Sequence, residues 1–307
     1  MDDNSNWEIS AIYTYPVKSC QGISQNEARV SSTGLEYDRL WMVIDAKSNR
    51  FITQRQHPRL ALVKPTIHAQ DGYLELTAPD MPEPLRVPLT PDSSKGDRVC
   101  VRVWYDDVWG RCCGPEAAAW FSAFTGKPAR LLSKDPETPR LVSRYAPAPE
   151  ICPERPQSGF ADVFPFHLIT EESLEDVNCH VPRPLTDLNF RPNLVLRSRN
   201  RKAPAYDEES WKTLWFSDSG ADGGWTMFVT SRTPRCTMPN VDLAVGKMSE
   251  DRQPMASLNT FRRTDPGKPN YACFGMQAAP QRIGQTIALG QSVHVRERGL
   301  HALTEPL

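Results

Sequence analysis

Thr230-Ser231-Arg232-Thr233-Pro234-Arg235-Cys236-Thr237-Met238-Pro239-Asn240-Val241-Asp242 is the most informative segment of this chain. It follows the apolar run Met227-Phe228-Val229, which has the composition of a strand. Arg232 and Arg235 lie close to Cys236, and neighbouring positive charge favours the thiolate, the form that binds soft metals or attacks electrophiles. A free cysteine is also commonly a small buried hydrophobe. Read alone, Cys236 is therefore a metal ligand, a nucleophile or a packing residue.

The cysteine spacing narrows the metal reading. The eight cysteines, at 20, 100, 112, 113, 152, 179, 236 and 273, form no C-x-x-C pair, which excludes the usual zinc ribbon, the dithiol redox motif and the common iron–sulfur spacings. Phosphate-loop, dinucleotide-loop, nucleophile-elbow and zinc-protease motifs are absent as well, and the six histidines are scattered. Cys112-Cys113 reads as structural, because adjacent cysteines bridge only with strain. Tyr271-Ala272-Cys273-Phe274-Gly275 reads as a strand.

At 307 residues the chain is long enough for two domains. Hydrophobic residues at 39%, charged residues at 24% and a formal net charge of -1 exclude a global attraction to nucleic acid or anionic membrane, so any basic site must be local. The polar, acidic start and the lack of an apolar run approaching roughly eighteen residues lead us to expect neither a signal peptide nor a membrane segment. Cysteines without an Asn-x-Ser/Thr sequon point to a reduced, intracellular and cytoplasmic protein.

Short runs rich in β-branched and aromatic residues predict strands at 8–15, 40–45, 60–68, 73–77, 85–89 and 98–104, the pattern of a barrel or sandwich. Pro115 and the Ala117–Phe124 run predict a helix ended by Gly126. Six prolines between 134 and 157 mark a connector. Beyond it, 164–169 reads as a strand, Thr170 as the cap of a helix opening on Glu171 and Glu172, and Val195, 211–216, 227–229 and 292–295 as further strands.

Three more segments bear on Cys236. Tyr15-Pro16-Val17-Lys18-Ser19-Cys20-Gln21-Gly22 places a lysine and a serine after the first strand, Gly34-Leu35-Glu36-Tyr37-Asp38-Arg39-Leu40-Trp41 supplies an arginine, and Asn189-Phe190-Arg191-Pro192-Asn193 another. Each basic residue alone reads as a solvated charge. Together with Arg235 they form a set able to cradle a phosphate.

In their order, these segments, with Gln54-Arg55, Pro58-Arg59-Leu60, Gly114 with Ala117-Ala118, Arg235-Cys236 and Val241-Asp242, resemble the MOSC-domain molybdenum enzymes of the amidoxime-reducing component type and their bacterial homologues. The resemblance runs over nearly the whole chain. It implies an α+β, mainly β fold: an N-terminal β-barrel domain at 1–133, the Pro-rich connector at 134–157, and a β-barrel-like MOSC domain at 158–307. It implies a molybdenum cofactor, with molybdopterin-bound molybdenum between the domains. Cys236 would be the single protein ligand to the metal, since the pterin dithiolene already supplies two soft donors. Lys18, Ser19, Arg39, Thr170, Ser173, Arg191, Asn193, Ser231 and Arg235 would bind the pterin and its phosphate. Asn240 and Asp242 would serve catalysis by orienting a metal-bound oxygen or relaying protons, or else cap local structure.

The reaction implied is reduction of N-hydroxylated substrates such as amidoximes, hydroxylamines and hydroxamates. Electrons would come from a b-type cytochrome with its flavin-dependent NADH reductase, or from a ferredoxin. The mitochondrial members carry a targeting and membrane segment not seen here, and no cysteine follows Cys273 to house a fused cluster. A role as molybdenum-cofactor carrier or sulfur-transfer protein is the alternative, against which stands the lack of an aminotransferase-like domain. Pro234 and Pro239 depart from the usual serine- and threonine-rich surroundings of the ligand.

Overall fold

A computed structural model describes residues 7–90, 96–144, 152, 155–217 and 223–301. Pro147, Pro149 and Pro153 of the expected connector lie outside them.

The first half runs β1 (Trp7–Thr14), β2 (Ile23–Gln25), β3 (Glu27–Ser31), β4 (Gly34–Leu35), β5 (Trp41–Asp45), β6 (Lys64–His68), β7 (Tyr73–Thr77), β8 (Leu85–Pro88), β9 (Arg98–Val103), β10 (Asp106–Cys112), α1 (Pro115–Thr125) and β11 (Ala129–Lys134). The second half runs β12 (Phe166–Thr170), α2 (Glu171–Cys179), β13 (Leu194–Ser198), β14 (Trp211–Phe216), β15 (Trp225–Pro234), β16 (Val241–Asp242), β17 (Lys247–Met248), α3 (Met255–Phe261), β18 (Cys273–Pro280), β19 (Thr286–Ala288) and β20 (Ser292–Arg298). The fold is mainly β, as expected.

Most predicted strands recur within a residue or two of their expected ends, but β15 runs on to Pro234, β18 covers Cys273–Pro280 where 271–275 reads as strand, and β20 runs on to Arg298. The 60–68 run divides: Pro58–Leu62 is a 3-10 turn, with Pro58 fixing its start, and only Lys64–His68 is strand. Strands β2, β3, β4, β10, β11, β16, β17 and β19 are not expected from the sequence; β10 (DDVWGRC), for one, opens on two acids and carries a glycine. The helix α1 ends as predicted, with Gly126 in the left-handed conformation at φ 71 and its N–H on Ser122 O.

In the first half, β5-β11-β10-β9 form one antiparallel sheet and β6-β7-β8 another. Strands β7, β8 and β9 alternate, β9 reading exposed-buried throughout, so Val99, Val101 and Val103 face inward, while β5 and β11 are buried almost end to end. Between the sheets pack Trp41, Val43, Leu74, Leu76 and Leu131, capped by Phe121 of α1.

In the second half, seven strands close in the order β13-β12-β18-β15-β14-β20-β1, with β1 returning to pair with β13. All neighbours are antiparallel except β12 and β13, the pair joined through α2. The barrel is filled by Ile9, Ile12, Leu168, Leu194, Leu196, Leu214, Met227 and Met276, with Trp7 edge-on to Trp211 at 4.7 Å. The first strand of the chain thus completes the second barrel. The 15–22 segment, leaving β1, is thereby delivered to the ends of β13 and β15.

Candidate active site

Lys18 and Ser19 follow β1, held where Lys18 N–H donates to Trp41 O at 2.8 Å. Arg39 precedes β5, Arg191 and Asn193 precede β13, and Arg235 and Cys236 follow β15. All seven line one cavity of about 130 Å³, with Asp162, His167 and Gln277. Ser19, Arg39 and Arg191 hold φ values of 69, 48 and 56, a region that non-glycine residues rarely adopt. Such strain persists only where surrounding contacts impose it.

The contacts are specific. Arg39 Nη1 donates to Asp38 Oδ2 at 2.6 Å and to Asn193 Oδ1 at 3.0 Å, while Nη2 reaches Arg191 O at 3.1 Å. Asn193 Nδ2 donates to Asp38 Oδ1 at 3.0 Å and to Tyr13 O at 3.1 Å. Arg39 and Asn193 therefore build the frame. The guanidinium groups of Arg191 and Arg39 both lie over the buried Tyr15 ring, at 4.2 and 4.4 Å from its centre.

Other donors are left over. Arg191 Nη1 donates to Cys20 O at 2.6 Å, but its Nη2 has no partner among the described residues; neither have Arg235 Nε and Ser19 Oγ, though all three atoms are buried. Arg235 Nη2 donates to Phe190 O at 3.0 Å. Lys18 Nζ donates to Phe160 O at 2.8 Å and pairs with Asp162. Burial pulls Lys18 below its ordinary pKa and takes Arg191 down to about 10, so Arg191 remains a cation at neutral pH. For Asp162, burial is outweighed by the Lys18 charge and hydrogen bond, which hold its carboxyl below the usual range.

His167, on β12, completes the wall and was missed in the sequence, where it was one of six scattered histidines. Its signal was there: it is the polar residue in Phe166-His167-Leu168-Ile169 and turns away from the barrel core. Its Nε2 lies 3.5 Å from Arg235 Nη1. Burial, then the Arg235 and Arg39 charges, push it to about 3, so it is neutral at physiological pH. Asp162, in the loop before β12, carried no signal.

Cys236 is half-buried at the meeting of this cavity with a second, of about 300 Å³, to which Ser231 also belongs. Among the described residues, no three His, Cys, Asp or Glu side chains converge as a metal site. Burial pushes Cys20, Cys113 and Cys273 up to about 12, leaving them as protonated packing residues.

Four residues expected at the site lie elsewhere. Thr170 Oγ1 and Ser173 Oγ donate to Glu208 Oε2 at 3.0 and 2.8 Å, and Thr170 caps α2 by accepting from Ser173 N–H at 3.2 Å. They line neither cavity. Asn240 Oδ1 accepts from Met255 N–H, the first residue of α3, at 3.0 Å, and Asp242 is exposed in the β16–β17 hairpin, accepting from Ala244 N–H at 2.9 Å. Of the two roles open for Asn240 and Asp242, the geometry is that of local capping, and neither lines a cavity.

The chain matches the MOSC N-terminal beta barrel domain over residues 6–128 and the MOSC domain over 156–294. Mitochondrial amidoxime reducing component 2 of Rattus norvegicus is 32% identical over 295 residues, covering 93% of this chain and 82% of that protein. Mitochondrial amidoxime-reducing component 1 of Mus musculus is 32% identical over 296 residues, with 94% and 82% covered. The Homo sapiens component 1 is 30% identical over 297 residues, again with 94% and 82% covered. No helix among the described residues is long and apolar enough to cross a membrane. With both domains matched in order and relatives of 30% or more identity alike over 82% of their length, this chain belongs to the MOSC-domain family of the amidoxime-reducing components.

Proposed function

We propose that the protein is a molybdenum-cofactor-dependent reductase of N-hydroxylated compounds. The observation that carries this reading is a cavity walled by Lys18, Arg39, Arg191 and Arg235, with leftover donors on Ser19, Arg191 and Arg235, opening onto one cysteine. Buried cations and unpaired donors are costly without a ligand, and an anionic pterin phosphate with its polar ring system answers both. The donor set fits: hard donors for the phosphate and pterin, one soft thiolate for the metal.

In this reading Cys236 holds the molybdenum. Lys18, Ser19, Arg191 and Arg235 bind the pterin and phosphate directly, while Arg39 and Asn193 keep Arg191 in place. Thr170, Ser173, Asn240 and Asp242 have no direct part. When bound, the cofactor supplies two-electron reduction of an N–O bond. An amidoxime takes up two electrons and two protons, its N–O bond breaks, and an amidine and water leave. The electrons come from a separate redox protein, a b-type cytochrome with its flavin reductase or a ferredoxin. His167, held neutral, adds no positive charge to those already present, and Asp162, held ionised, balances Lys18.

Metal analysis and pterin fluorescence of wild type and Cys236→Ala, with benzamidoxime turnover under a chemical reductant, test this. Wild type should carry molybdenum and turn over, and the variant should lose both. Bound molybdenum without turnover would favour a cofactor carrier, and a variant with unchanged metal content would sink the ligand assignment.

A further inference from the structure

The second cavity shares Asp162, Cys236 and their neighbours with the first and is open to the outside past Trp104 and Tyr271, 40% and 47% exposed. Each stands beside a cation: Arg55 lies over the Trp104 ring at 4.9 Å, and Lys268 over the Tyr271 ring at 5.7 Å. A third pair, Arg144 over Tyr105 at 4.3 Å, stands at the same edge.

The charges do not cancel. Arg232 is matched by Glu209 at 2.9 Å. Asp162 is the one carboxylate lining this cavity, and Lys18 already holds it. Arg55 Nε donates to Thr53 Oγ1 at 3.2 Å, and among the described residues no ion pair joins a carboxylate to Arg55 or to the buried Lys268, although the Asp162 charge acts on Arg55 and the Asp265 charge on Lys268. Inside the cavity Ser231 Oγ and Thr233 Oγ1 are buried without hydrogen-bond partners among the described residues.

We propose that this cavity selects aromatic N-hydroxylated compounds bearing an anionic substituent such as a carboxylate. The ring rests against Trp104 and Tyr271, the anionic group meets Arg55 and Lys268, and the N-hydroxylated end faces Cys236. A cationic substituent is disfavoured for the same reason. The inference rests on the reductase reading above for its chemistry, but the charge preference is a property of this chain's own residues.

The test compares 4-carboxybenzamidoxime, benzamidoxime and 4-trimethylammoniobenzamidoxime as substrates of the molybdenum-loaded full-length protein, with dithionite as reductant. At low ionic strength kcat/KM for the carboxylate should exceed that for the neutral compound by about tenfold, and the cationic compound should fall below both. The ratio should shrink with added salt, and in Lys268→Gln and Arg55→Gln it should move toward unity. Tryptophan quenching of the molybdenum-loaded protein without reductant, with Trp104→Phe as control, should show the same order of binding. Equal rates and equal binding for the three compounds would overturn the inference, as would an unchanged ratio in both variants. Turnover of none of the three by molybdenum-loaded protein overturns the reductase reading instead, and quenching then decides the charge preference alone.

Discussion

The Thr170 and Ser173 hydroxyls both turn to Glu208, which is wholly buried and which burial raises to about 7. The folded state holds this proton more tightly than the unfolded chain, so its stabilising contribution is complete below about 4.5 and is lost as pH rises through about 7. Glu208→Gln should flatten that decline and make the protein more stable than wild type at pH 8, by up to about 3 kcal/mol. Urea unfolding at pH 5 and pH 8 measures it, and parallel pH profiles for the two proteins would refute it. Asn240 is tested differently. Asn240→Ala strands the Met255 N–H and should cost about 1–3 kcal/mol in stability, while molybdenum content and turnover per folded molecule stay at wild-type level; a catalytic loss without a shift in melting would give Asn240 a catalytic role instead. Lys18, Arg39, Arg191, Arg235 and Cys236 are legible in the sequence because their segments keep an order along the chain, and they converge on one cavity, whereas a helix-capping threonine and a phosphate-binding one look alike in sequence.

Elements were legible wherever period and punctuation agreed. Tyr73–Thr77 and the helix after Gly114 have both. β18 shows what lies outside such reading: it is buried almost end to end, and within it Gly275 has φ 76. A Cβ there would stand 2.4 Å from His167 Nε2 and 2.7 Å from Leu168 O, so the strand runs against β12 with no room for a side chain. Nothing in the sequence says which glycine has this duty. Gly275→Ala should cost roughly 1–3 kcal/mol through its backbone alone, and more through displacing His167 and with it Arg235. Lower melting together with weakened molybdenum retention is the expected pair of results. Wild-type retention in a destabilised variant would separate β18 from the site.

At the scale of the whole molecule, a mainly β chain of two successive β units is legible in the sequence, with one closed barrel and one half-barrel in the structure, but not that the first strand closes the barrel of the second half. Strand pairing at long sequence separation leaves no local pattern, and β1 alternates like any half-buried strand. The consequence is that the halves share both a barrel and a site. Arg39 of the first half bonds Asn193 and Arg191 O of the second, Arg191 returns a bond to Cys20 O, and Phe160 N–H donates to Arg39 O at 2.7 Å. A chain limited to 158–307 would leave β13 and β20 without β1, two open edges on a barrel whose closure depends on it. Expressed alone, that piece should aggregate or lack cooperative melting, whereas 1–157 and 158–307 produced together should co-purify as one complex that binds molybdenum. A soluble, cooperatively melting 158–307 fragment would show that the second barrel closes without β1, and the cofactor cavity would then need only the loops, and not the strand, of the first half.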